Sequence, residues 1–91
     1  MNAPPAHPDM SRILLADDDA ELGAMLAEYL GREGFAVDVA HDGEAALAAA
    51  QRGGYDVVVL DVMMPKRNGF DVLRALRASS RVPVLMLTAR G

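Results

Sequence analysis

The 91-residue chain contains no cysteine, which excludes a disulfide framework and any thiolate metal site and fits an intracellular setting. No apolar run approaches the roughly 20 residues that cross a bilayer, and the amino end carries no apolar stretch of signal-peptide type. Basic residues are in deficit. Nine Lys and Arg against thirteen Asp and Glu leave a formal net charge of −4, which argues against holding nucleic acid or an anionic membrane by charge alone. Proline is scarce outside "MNAPPAHPDM", which has three of the five and reads as a disordered tail over residues 1–10. A cytoplasmic protein with no membrane partner is therefore expected. What is present is 52% hydrophobic residues, enough for a packed globule. The length predicts one small domain, burying about two-thirds of its unfolded surface.

From Ser11 onward the pattern is regular. "RILLA" (12–16) is a short apolar strand that ends in "DDD". In the next stretch Leu22, Met25, Leu26, Tyr29 and Leu30 recur at helical spacing, and Gly34 suits the stop. Asp18, three residues before Glu21, predicts a capping box with Asp as the cap. "FAVDVA" (35–40) alternates Phe35, Val37 and Val39 with Ala36, Asp38 and Ala40, as a half-exposed strand near an edge does. An alanine-rich helix starts near Asp42 and is stopped by Gly53-Gly54. Val57, Val58, Val59 and Leu60 have the branching of a strand buried on both faces. A loop with Pro65, Asn68 and Gly69 follows, then a helix carrying Val72, Leu73 and Leu76 on one face. "VPVLMLTARG" opens a fourth strand. Strands near 12, 35, 56 and 83 with a helix in each gap predict a parallel sheet wrapped by helices, with right-handed crossovers.

Sites in an open parallel sheet form outside the carboxyl ends of its strands. Here the first strand delivers Asp17 and Asp18, the third Asp61 and the fourth Thr88. If the first and third strands are neighbours, three carboxylates converge and repel one another. A hard divalent cation resolves that conflict, and Mg²⁺ suits two carboxylates plus a backbone carbonyl. Simpler readings stand beside this one. Asp18 or Asp19 can serve only as a helix cap, Thr88 is an ordinary strand residue, and Met63 and Met64 are ordinary core filler. Asp61, ionised at the end of four oily residues, needs either a rim or a cation. Lys66, Arg67 and Arg90 read as solvated, with Arg90 nearest the rim. His7 and His41 have no ligand neighbours in sequence.

"ILLADDD", "VVVLDVMMPKRNG" and "VPVLMLTA" together resemble the receiver domain of bacterial two-component response regulators, over about residues 12–91. Their form is most similar to the winged-helix, OmpR-type transcription regulators. The resemblance implies a three-layer, doubly wound, flavodoxin-like α/β fold with strand order 2-1-3-4-5. It implies that Asp61 is the phosphoacceptor and that Asp17 and Asp18 hold Mg²⁺. It places the Met63 backbone carbonyl on the metal, makes Thr88 the switch hydroxyl, and makes Ala89 the small residue that leaves room for the phosphoryl group. The implied partners are a sensor histidine kinase as donor and, through an output domain absent from this chain, DNA.

Family receivers have five βα units, whereas these residues supply four strands and three helices. Residues 11–91 are therefore expected to be a partial receiver domain, without the fifth-strand lysine that contacts the phosphoryl group. Lys66, in the loop after the acceptor strand, is no substitute. An exposed fourth strand is expected to invite self-association. Two other functions compete. A Mg²⁺-dependent aspartyl-phosphate phosphohydrolase would want a second aspartate where Met63 stands. A non-catalytic interaction module would keep the rim unused.

Overall fold

A computed structural model of the chain describes residues 11–87. The expected tail, Thr88, Ala89 and Arg90 lie outside these described residues. The elements run β1 (Arg12–Ala16), α1 (Ala20–Arg32), β2 (Ala36–Ala40), α2 (Gly43–Arg52), β3 (Val57–Asp61), α3 (Gly69–Arg77) and β4 (Val84–Leu87). The four strands form one parallel sheet in the order β2-β1-β3-β4. This is the doubly wound arrangement expected, with β1 and β3 as neighbours.

Helix limits follow local chemistry. Asp19, Asp42 and Asn68 cap the three helices, their side chains accepting from the backbone N–H of Leu22, Ala45 and Asp71. The first cap corrects the expectation by one residue, because Asp19 rather than Asp18 turns back onto its helix. The end of α1 is a Schellman motif. Gly34, at φ 99°, donates to the Gly31 carbonyl, and Phe35 N–H reaches the Leu30 carbonyl.

Leu14, Ala16, Val58 and Leu60 form the main core with Ala46, Ala49 and Ala50 of α2 and Val72 and Leu76 of α3. Alternation along the strands puts Ile13, Leu15, Val57 and Val59 on the opposite face. There α1 packs against β2 and β1, closely enough that a Cβ at Gly23 would lie 3.2 Å from Val39. Ile13 and Leu15 beneath it are buried, whereas Val57 and Val59 are only half-buried and Leu85 is 60% exposed. The expectation that β3 is buried on both faces is therefore corrected. Among the described residues one helix covers this side, and it lies over the β2-β1 half. Met25 and Tyr29, expected in the apolar stripe of α1, remain exposed.

Candidate metal and phosphoryl site

The sheet register builds the site. Ala16 pairs with Leu60, so the next residues on each strand, Asp17 and Asp61, leave the sheet side by side. Carboxylate oxygens of Asp17, Asp18 and Asp61 all lie within 4.8 Å of one another. Asp17 is buried at 5% exposure, Asp61 is half-buried and Asp18 is exposed. Asp17 is fixed at both ends, since its N–H donates to the Ala40 carbonyl at 3.0 Å and its Oδ1 accepts from Asp19 N–H at 2.9 Å. Asp61 Oδ1 accepts from Met63 N–H at 3.2 Å, and Val62 N–H donates to the Leu87 carbonyl at 2.9 Å, binding the rim to the edge strand.

Burial pushes the Asp61 carboxyl above its ordinary range. The Met63 N–H works against that, the charges of Asp17 and then Asp18 push the same way as burial, and the Val62 N–H opposes them again. Two full charges about 4 Å apart repel by roughly 4 kcal/mol at an effective dielectric near 20. Helix capping does not account for this arrangement, because Asp19 already caps α1. The donor set is all oxygen and anionic, which fits a hard divalent cation. An open cleft of about 530 Å³ bordered by these aspartates, Met63 and Leu87 leaves room for an ion and a phosphoryl group.

The structure thus brings together Asp17, Asp18, Asp61 and the Met63 backbone, while Thr88 and Ala89 lie outside the described residues. The Met63 side chain is 67% exposed and so is not core filler, whereas Met64 is buried in the core. His41 is exposed and belongs to no metal-ligating cluster among the described residues. Lys66 and Arg67, read from sequence as solvated, are exposed and partly exposed respectively, and also pair with Asp42 and Glu44 at the start of α2. Sequence reasoning missed that contact, although "DGE" and "KR" carry complementary charges.

Residues 13–91 match the response regulator receiver domain family. The chain is 57% identical over 82 residues to the transcriptional regulatory protein CpxR of Escherichia coli K12, covering 90% of this chain and 35% of that protein. It therefore spans about a third of the length of the curated relatives it matches. Among solved structures, the response regulator TrrA of Thermotoga maritima, in complex with Mg²⁺-BeF, aligns with a TM-score of 0.83 at 37% identity, over 90% of this chain and 72% of that one. The chemotaxis protein CheY4 of Vibrio cholerae aligns with a TM-score of 0.83 at 38% identity, over 90% and 71%.

Proposed function

Because the chain belongs to the response regulator receiver domain family, we propose that its acidic rim is a Mg²⁺-dependent phosphoacceptor site with Asp61 as the acceptor. The observation that carries this reading is the convergence of three carboxylates within 4.8 Å at the ends of two adjacent parallel strands. An oxygen of Asp61 attacks the phosphorus of a phosphohistidine on a sensor histidine kinase. The O–P bond forms as the N–P bond breaks, the imidazole leaves, and Asp61 becomes an acyl phosphate. Asp17, Asp18, Asp61 and the Met63 carbonyl would hold the ion. When bound, Mg²⁺ supplies positive charge against the oxygens that gather charge in the transition state.

The protein's own part is positioning. Burial of Asp17 and its bond from Asp19 N–H fix one wall of the cleft, and Met63 N–H fixes the rotamer of Asp61. Water attacking phosphorus later releases phosphate and restores the carboxylate, so the module resets itself and is a regulatory switch. The transfer replaces the Asp61 carboxylate by an acyl phosphate, adding about one further negative charge and three strong acceptor oxygens, which Thr88 would read as a hydrogen-bonding hydroxyl while Ala89 leaves space. Those two roles rest on the resemblance alone.

We further assign the chain to a cytoplasmic regulator in which residues 1–10 form a tail, residues 11–91 are part of the receiver, and DNA is reached through a separate output domain. That assignment rests on relatives that are transcriptional regulators. The phosphohydrolase reading loses support because no acid stands at position 63, where an exposed Met is found. In the test, the chain is incubated with a small-molecule phosphodonor and Mg²⁺, and the intact mass is measured. One phosphoryl group is expected on the unmutated chain and none on Asp61→Asn. A label that persists in the variant, or a folded chain that takes none, overturns the assignment.

A further inference from the structure

We propose that the amino end of α2 is a positioning element for the phosphoacceptor pocket, gripping the β3–α3 loop so that the Met63 backbone stays beside Asp61; the inference rests on the pocket reading above. The loop after Asp61 is held at one end within itself, where Gly69 N–H donates to the Val62 carbonyl at 2.9 Å. Besides that bond and the one from Val62 N–H to the Leu87 carbonyl, the loop is held by α2. Gly43 N–H donates to the Pro65 carbonyl at 3.2 Å, and the same carbonyl accepts from Arg67 N–H at 2.7 Å. That second bond closes a γ-turn around Lys66, whose φ is 71°, a conformation that persists only where the surroundings impose it.

The surroundings that impose it are residues 42–44. Lys66 Nζ lies 3.9 Å from Asp42 Oδ2, and Arg67 Nε lies 3.3 Å from Glu44 Oε2. Gly43 between them is buried. A Cβ there would overlap the Arg67 carbonyl oxygen and come within 2.5 Å of Arg67 Cβ and 2.7 Å of its carbonyl carbon. Backbone cannot swing aside as a side chain can, so any residue larger than glycine at 43 moves the loop. The bond from Met63 N–H to Asp61 Oδ1 sits within that same loop. Met64, between Met63 and the Pro65 carbonyl, is buried in the core.

The experiment is a Mg²⁺ titration by calorimetry on the full chain, with backbone amide spectra of Asp61 and Met63. Gly43→Ala is expected to weaken Mg²⁺ binding about tenfold, as changes to groups supporting metal ligands do, and to shift both amides. Ala48→Gly, which loosens the same helix at an exposed position, is expected to leave the affinity unchanged. Glu44→Lys is expected to weaken binding about two- to threefold, in the range of an exposed ion pair, and adding Arg67→Glu to restore it. Wild-type affinity in a folded Gly43→Ala variant, or equal weakening by Ala48→Gly, overturns the inference while leaving the pocket intact. If Gly43→Ala shows no cooperative melt, the charge-swap pair decides, and equal affinity in all three chains overturns the inference. An unmutated chain that folds but takes no Mg²⁺ overturns the pocket reading and this inference together.

Discussion

Asp61 illustrates what one residue reveals and what it conceals. An acidic side chain closing a run of Val and Leu was legible as an exit from the core, because little else explains a charge there. Its surroundings make it a destabilising group in the metal-free fold. Burial, with the charges of Asp17 and Asp18, raises its folded pKa above the unfolded value of 3.8. A raised pKa means that stability is full below 3.8 and is lost as pH rises through the folded value. In chelator, Asp61→Asn should therefore melt higher than the unmutated chain at neutral pH, and the gap should close on acidification below 3.8. Melts across that range check this, and a gap independent of pH would contradict it. Tyr55 is the opposite case, invisible in the sequence because its partners lie far along the chain. Its hydroxyl donates to Asp38 at 2.6 Å, and Arg12 sits over its ring at 4.6 Å, linking the segment before β3 to the start of β1 and the middle of β2. Tyr55→Phe should cost about 1 kcal/mol in urea unfolding, the scale of one hydrogen bond.

The helices and strands were legible in outline because their periodicities, caps and glycine stops agree with one another. The Gly34 stop and the Asp42 cap stand where composition put them. The start of α1 was misplaced by one residue because three consecutive aspartates offer equivalent caps. Only the fold shows that Asp17 and Asp18 turn toward Asp61 while Asp19 turns back to Leu22. The two functions are thus separable within one short run. Asp19→Ala should lower stability by about 1 kcal/mol, as loss of a cap does, with little change in Mg²⁺ affinity. Asp18→Ala should do the reverse, weakening Mg²⁺ binding without the cap penalty. Urea unfolding in chelator and a Mg²⁺ titration on both variants check the pair. The grip of α2 on the β3–α3 loop was not legible, because it depends on a backbone approach at Gly43 that no sequence period encodes.

For the whole molecule, the βα rhythm gave the layer order, and the structure supplied the asymmetry of cover. Among the described residues, one face is covered by α2 and α3, with Val84 and Met86 of β4 only half-buried, while the other has α1 over β1 and β2 and leaves Val57, Val59, Leu85 and Leu87 partly bare. A hydrophobic edge strand of this kind pairs readily with another chain. The chain is expected to self-associate at micromolar concentration, and Leu85→Lys to shift it toward monomer in size-exclusion chromatography with light scattering. A monodisperse unmutated monomer would count against that expectation. The central claim is that Asp17, Asp18 and Asp61 act as one cation pocket in this chain, and a thermal melt with and without Mg²⁺ tests it most directly. At ten times its dissociation constant a bound ion adds about 1.4 kcal/mol, a rise of roughly 5 to 11 °C for a domain of this size. That rise in the unmutated chain, and its loss in Asp61→Ala, is the result predicted. A cooperative melt indifferent to Mg²⁺ would contradict it.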